Sequence, residues 1–327
     1  MAQIRDEGIP SVYPARVFAR KIVVKALDPM ASENEQRAIK KLCDGRNENM
    51  VDVFGVGTFV HNDASYMYID QELCDFTLSD YIEWNAKTIK ALHDPKTEMI
   101  ASKSSTWNIM KQITSGLAFV HSQKEIHRDM KPQNGSQFSF FFFFFFSVFL
   151  QSVLFSCKRR LWKLTDFGIT TEGSASNEAF TYDVRGTPGY RSPELLNGSG
   201  WFTNKVDIWS LGCILYELIV GSRLFRYDYQ VVEHSLEMRS VQVECPEMYD
   251  SEFRFVIIGL IHEMLAIDPS ARPSAGELHS KFISYYRASD GPPTDPTSPI
   301  VSPMNDGSLS QEESTQADLD LWDYRTT

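Results

Sequence analysis

His127-Arg128-Asp129-Met130-Lys131-Pro132-Gln133-Asn134 decides how this chain is read. These residues set a carboxylate at Asp129, an ammonium group at Lys131 and a carboxamide at Asn134. Three more constellations follow in order: Asp166-Phe167-Gly168, then Gly186-Thr187-Pro188-Gly189-Tyr190-Arg191-Ser192-Pro193-Glu194, then Asp207-Ile208-Trp209-Ser210-Leu211-Gly212. Any one carboxylate among them reads as a solvated loop acid; the ordered set does not.

Outward from that stretch the pattern divides in two. Residues 16–26 are β-branched and alternating, which predicts a strand. Residues 32–43 open with a serine able to cap and space Ala38, Ile39 and Leu42 helically. Strand-like runs follow at 51–60 and 65–73, so the first part is a small, mainly antiparallel domain with one helix. After Asp75 helices take over. Residues 107–122 carry Ile109, Ile113, Leu117 and Val120 on one face, behind a Ser104-Ser105-Thr106 capping cluster. Residues 206–220 are apolar nearly all round, the mark of a helix buried in a large lobe, and 253–265 is a further helix. The polar stretch 85–105 is expected to be an exposed insert.

In these motifs and their order the chain resembles the eukaryotic-type protein kinases over residues 10–287. The resemblance implies an α+β, bilobal protein-kinase-like fold, with a small β-rich N-lobe at 1–73 and a larger, mainly helical C-lobe at 74–287. It also implies a transferase that moves the γ-phosphate of ATP, with Mg2+, to a protein hydroxyl. Asp129 would then accept the hydroxyl proton and Lys131 would steady the γ-phosphate. Asn134 and Asp166 would supply the hard oxygen ligands that Mg2+ prefers. A lysine at 131 followed by Pro132 resembles the serine/threonine-specific pattern.

Ala19-Arg20-Lys21 resembles the family's A-x-K strand, which puts Ala19 and Lys21 at the nucleotide, Lys21 on its α- and β-phosphates. Counting back seven from Leu42 gives Glu35 as the lysine's partner, although Glu33 stands close by and a solvated face remains an alternative for Glu35. The hinge falls at Gln71-Glu72-Leu73-Cys74, where backbone groups of Glu72 and Cys74 would read the adenine edge. Arg128 implies a phosphate on the activation segment, placed there by an activating kinase, with Thr181, Tyr182, Ser174 and Ser176 as acceptors. Asp183 occupies the position where many relatives carry that phosphate, a candidate built-in carboxylate. Glu194 is expected to pair with Arg272, and Asp207 to anchor the catalytic loop.

Composition agrees with this reading. The chain has 327 residues, room for one large or two ordinary domains, and 43% hydrophobic with 23% charged residues excludes wholesale disorder. A net charge of −11 argues against nucleic-acid binding. Residues 288–327 hold eight acids, one base and five of the 15 prolines, so a disordered acidic tail is expected there. Five cysteines without a CxxC pair, and an N-terminus without an apolar signal-peptide core, point to a reducing intracellular compartment, cytoplasm and/or nucleus.

Two features depart from the family pattern. Only Gly8 remains of a Gly-rich loop, and Val12 stands nine residues before Lys21, closer than the pattern puts its valine, so that loop is truncated. The larger departure lies at 135–152, where nine of 18 residues are phenylalanine and Asp129 and Asp166 are driven 37 apart. Removing those 18 residues joins Asn134 to Val153 and restores an ordinary catalytic loop, strand, turn and strand. Phenylalanine codons are pyrimidine-rich, and the codons permit a GT at the start and an AG at the end, so the segment reads as a translated intron. A lineage-specific insert and a membrane segment over 138–155 are the alternatives; a span ~30 Å thick would tear Asn134 from Asp166. The rival to an active enzyme is a pseudokinase or signalling scaffold, inactive through the shortened Gly-rich loop and the insert.

Overall fold

The computed structural model describes residues 18–24, 29–92, 102–132, 152–237, 241–247 and 249–289. The expectations for the Gly-rich loop, Asn134, the phenylalanine run at 138–149 and the acidic tail from 290 onward fall outside these residues.

The upper lobe is an antiparallel sheet of β1 (Phe18–Val24), β2 (Val53–His61) and β3 (Ala64–Glu72), in the order β1-β3-β2. Asn62 and Asp63 turn β2 into β3 with φ of 47° and 60°. A two-residue hairpin demands that left-handed pair, and Asn and Asp tolerate it best after glycine. Helix α1 (Pro29–Leu42) packs beside the sheet through a buried stripe of Ser32, Glu35, Ala38, Ile39 and Leu42. It opens with Pro29 at its first position and closes with Lys40 and Lys41 in its last turn, which suits the helix dipole. The helix therefore begins three residues before Ser32, which is not its cap: this serine is 1% exposed and its hydroxyl has no hydrogen-bond partner among the described residues.

The lower lobe starts at β4 (Phe76–Thr77) and α2 (Leu78–Leu92). Here the exposed insert expected from Asn85 is corrected: the helix continues through Leu92, and Asn85 is buried in a hydrogen bond with Tyr81. Helix α3 (Lys103–Ser122) is capped by Ser102, whose hydroxyl accepts the amide of Ser105 at 3.0 Å. The Ser-Ser-Thr cluster is thus its first turn and not its cap. Ile109, Ile113, Leu117 and Val120 are buried as their spacing predicts.

Short strands then alternate with loops: β5 (Glu125–Ile126), β6 (Val153–Ser156), β7 (Leu161–Leu164), β8 (Thr171–Glu172), β9 (Ala179–Phe180) and β10 (Trp201–Phe202). They pair as β4-β6-β7, β5-β8 and β9-β10. Helices α4 (Pro193–Leu196), α5 (Lys205–Val220), α6 (Asp228–Glu237), α7 (Ser251–Met264) and α8 (Ala275–Ala288) complete the lobe. Helix α5 is its axis, with Ile208, Trp209, Leu211, Ile214 and Leu215 fully buried. Helix α8 runs one residue past the expected lobe boundary and is fixed by a capping box between Ser274 and Glu277.

One continuous apolar cluster reaches from Ala38, Leu42 and Met67 above, through Leu164 and Phe167, to Trp209 and Phe282 below. The architecture is the bilobal α+β arrangement expected. Among the described residues no helix is long and apolar enough to cross a membrane. Residues 153–155, the end of the membrane candidate, lie in β6.

Candidate active site

Strand β1 carries Lys21 onto the face that meets α1. Its Nζ donates to Glu35 Oε1 at 2.7 Å and to Asp166 Oδ1 at 2.8 Å. The three side chains are buried among Ile39, Val51, Ile69, Gln71, Thr165 and Phe167. Glu35 lies on the buried stripe of α1, whereas Glu33 is exposed, so the lysine's partner is the glutamate reached by counting from Leu42. Burial disfavours the Lys21 ammonium, but the carboxylates of Asp166 and Glu35 outweigh it and raise its pKa. Burial likewise opposes ionisation of Asp166, and Lys21, Lys131 and His127 overcome it, so this carboxyl stays below its usual range. Glu35 moves the other way, raised by burial against the pull of Lys21. The lysine is thus held charged and the Asp166 carboxylate ionised. Ala19 lies two residues earlier on the same strand, hence on the same face, and pairs in register with Gln71.

The catalytic stretch hangs below this cluster. Asp207, fully buried on α5, accepts the backbone amides of His127 at 2.8 Å and Arg128 at 2.7 Å, and contacts His121 Nε2 at 2.9 Å. Burial works against its charge, yet His121, His127 and the Arg128 amide keep its pKa below the usual carboxylate range. Three groups meet at the loop itself. Lys131 Nζ donates to Asp129 Oδ2 at 2.6 Å, Thr187 Oγ1 donates to Asp129 Oδ1 at 2.6 Å, and Lys131 Nζ lies 2.8 Å from Thr187 Oγ1. Asp129 is therefore aimed by a cation and a hydroxyl from two separate segments. Thr187 stood only as a motif letter in the sequence; no local signal ties it to a carboxylate 58 positions away.

Of the two expected metal donors, Asp166 lies in the buried cluster and Asn134 lies outside the described residues. Ser152, placed in the removable segment, is instead fully buried. Its hydroxyl donates to the carbonyl of Asp129, and its own carbonyl accepts the amide of Thr165 at 3.0 Å. The ionised, buried carboxylate of Asp166 is a hard oxygen donor of the kind a small divalent cation takes.

At the hinge, Glu72 ends β3 and Cys74 is buried just beyond it. The Glu72 side chain turns behind the hinge, where Oε1 meets Lys163 at 2.5 Å and accepts the Asp52 amide at 2.8 Å. Neither that side chain nor the Glu72 amide, which donates to the carbonyl of Asp52 at 2.9 Å, is thus left for a ligand at that edge. Burial pushes the Cys74 thiol up to about 12, so it is a packing group and not a nucleophile.

Arg128 has φ of +69° and its guanidinium lies 4.7 Å over the ring of Phe202. Its Nε and Nη2 are buried without a hydrogen-bond partner among the described residues. Burial first, then the like charge of Arg185, lowers its pKa to about 10. The carboxylate expected from Asp183 does not reach it: that residue is exposed, and its carbonyl accepts the Thr181 hydroxyl at 2.7 Å. In the same lobe Arg272 grips Glu194 with two bonds of 2.6 and 2.8 Å, as the sequence predicts.

This constellation on a bilobal scaffold defines a phosphotransferase domain, and the chain belongs to the protein kinase domain family, which matches it over residues 14–283. Two of the three relatives that follow are named as serine/threonine-protein kinases. It is 28% identical over 294 residues to cyclin-dependent kinase-like 2 of Oryctolagus cuniculus, covering 82% of this chain and 46% of that protein. It is 29% identical over 266 residues to serine/threonine-protein kinase chk-2 of Caenorhabditis elegans, covering 79% and 50%. It is 30% identical over 296 residues to serine/threonine-protein kinase PLK1 of Xenopus laevis, covering 88% and 42%. The chain spans about half the length of the curated relatives it matches. A protein kinase domain implies ATP, a divalent metal and protein substrates.

Proposed function

We propose that this protein phosphorylates serine or threonine hydroxyls of protein substrates with ATP and Mg2+. The observation that carries the reading is the Asp129–Lys131–Thr187 triangle. A hydroxyl replacing that of Thr187 at Asp129 Oδ1 would have a base at its proton and Lys131 beside the oxygen it presents to the phosphoryl group. Lys21, held by Glu35, would bind the nucleotide phosphates from the other side, with Ala19 and the backbone of Glu72 and Cys74 at the adenine. Asp166 and Asn134 would hold Mg2+, which when bound neutralises charge on the phosphates.

We further infer that the competent form lacks residues 135–152. Ser152 occupies the seat directly before β6 and hydrogen-bonds the carbonyl of Asp129. Joined to Val153, Asn134 would take that seat, and its carboxamide has both a donor for the same carbonyl and an oxygen left for the metal. The chain as written puts a serine there, which favours an inactive, scaffold-like state for this form. The Arg128 nitrogens, unpartnered among the described residues, support regulation by a phosphate on the activation segment, with Ser176 and the 94%-exposed Tyr182 the exposed acceptors and Ser174 and Thr181 half-buried.

The test is phosphate transfer from ATP to a general protein substrate by the form with Asn134 joined to Val153, against the same form carrying Asp129→Asn. Labelled phosphoserine or phosphothreonine above that control is expected. Transfer no greater than the control would replace the enzyme reading with the pseudokinase one.

A further inference from the structure

Glu125 lies two residues before His127 in β5 and is fully buried. A buried carboxylate needs partners, and both of its cations come from the opposite lobe. Arg37 Nη2 donates to Glu125 Oε2 at 3.0 Å and Lys41 Nζ to Oε1 at 2.9 Å. Both cations sit on α1, the helix that carries Glu35. Arg37 Nη2 also reaches the carbonyl of Thr170 at 3.4 Å, four residues beyond Asp166, and Lys41 lies 3.7 Å from Glu172. Glu172 is the residue paired with Glu125 across β5 and β8.

The helix geometry gives this clip a direction. At ~100° per residue, Arg37 and Lys41 share one face, one turn apart, and lie roughly opposite Glu35. Helix α1 is therefore gripped on one side by Lys21 of the sheet and on the other by a carboxylate of the catalytic strand. Rotation or withdrawal of α1 would break both grips together. It would also strand a carboxylate buried at the start of the catalytic loop, which is a strong penalty.

We propose that Glu125 is a positioning residue for phosphoryl transfer. Through Arg37 and Lys41 it fixes α1 at the rotation and depth where Glu35 meets Lys21. The Lys21–Glu35–Asp166 cluster is thereby assembled by ion pairs within the chain, without a bound activating subunit. This rests on the kinase reading of the same site.

The test compares Glu125→Gln, which keeps the shape and one acceptor oxygen, with the unaltered full chain by amide hydrogen exchange. Arg37→Gln is the second variant, because that side chain is 35% exposed and its loss spares the core. Both are expected to speed exchange in α1 while α3 and α5 keep their protection, and Arg37→Lys is expected to restore the slow pattern. In the form joining Asn134 to Val153 they should lower kcat/KM for ATP by about 5- to 150-fold, the usual span of coupling between sites. Unchanged α1 exchange in both variants, or an equal loss of protection in α1, α3 and α5, would overturn the proposal. If no form transfers phosphate, the kinase reading fails alone, and the contrast in exchange still decides the role of Glu125.

Discussion

Thr187 donates its hydroxyl to Oδ1 of Asp129 at 2.6 Å, and this bond joins the activation segment to the catalytic loop. On the proposed function a substrate hydroxyl would compete for the same oxygen, so that Thr187 would both aim the base and mark where the acceptor comes in. Thr187→Ala leaves Lys131 and Asp129 paired but loses the third contact. In the form that joins Asn134 to Val153, kcat should fall by about 5- to 150-fold, the equivalent of ~1–3 kcal/mol for one buried hydrogen-bond partner. Thr187→Ser should keep most of the rate. Asp129→Asn should cost ~10²- to 10⁴-fold, as loss of a general base does. Steady-state rates at saturating ATP separate the three, and an alanine variant as fast as the parent would remove Thr187 from the site.

Lys21 is the next lever, because its ammonium bridges two carboxylates that have no other cation as close among the described residues. Lys21→Met leaves Glu35 and Asp166 facing each other in a buried site. The fold should weaken by ~3–5 kcal/mol, as for other broken buried pairs. In the form joining Asn134 to Val153, magnesium ATP at about 100 times its Kd should stabilise the protein with Lys21 by ~2.7 kcal/mol and its Lys21→Met variant by almost nothing. Thermal melts with and without nucleotide check both numbers.

Much of this site was legible in the sequence because its parts sit on periodic elements or in fixed local strings. Glu35 could be counted from Leu42 since both lie on one stripe of a long helix, and Arg272 with Glu194 followed from motif letters. Glu125 could not be found that way. It lies in a two-residue strand, too short to show a period of two, and its cations are 84 and 88 positions away. The cap of α1 was misplaced for a related reason. Ser32 resembles a capping residue locally, but the helix begins at Pro29 and the serine is spent on the buried stripe. Asn85 was read as surface because it is polar; its hydrogen bond with Tyr81 is a tertiary fact.

Asp207 makes stability depend on acid. Its folded pKa is depressed below that of an unfolded aspartate, so its contribution is fully present above about pH 4 and is lost as pH falls through the folded value. Asp207→Asn places an amide against two backbone donors. Near neutral pH the domain should lose about 2–3 kcal/mol, and the part of the acid transition due to this group should vanish. Urea unfolding followed from pH 7 to pH 3 reads both effects. An unchanged acid slope in the variant would assign the transition to other carboxylates.

Arg272 is fully buried and holds Glu194 with a fork of two bonds, while also donating to the carbonyl of Ala266 at 2.8 Å. Arg272→Met keeps the volume and removes the fork, leaving Glu194 without its cation. A loss of about 3–5 kcal/mol is expected, seen as a lower urea midpoint. Arg272→Lys should recover little, since a lysine cannot make the planar pair.

The 18 residues at 135–152 decide which form of the protein exists. As written, the chain seats Ser152 against the carbonyl of Asp129, where a hydroxyl can donate but offers little to a cation. Asn134 becomes the neighbour of Val153 only when the segment is gone, and on the proposed function its carboxamide would then have an oxygen to offer the metal. Nine phenylalanines in the segment would also bring ~1.5–3 kcal/mol of burial each that must find a core or drive association. Amplification of the transcript across this region should therefore yield a product shorter by 54 nucleotides. The protein made from it should gain stability from magnesium ATP where the 327-residue chain does not. A transcript uniformly of the longer length would end the intron explanation. A 327-residue chain that binds magnesium ATP as tightly as the joined one would show that Ser152 serves in the seat of Asn134.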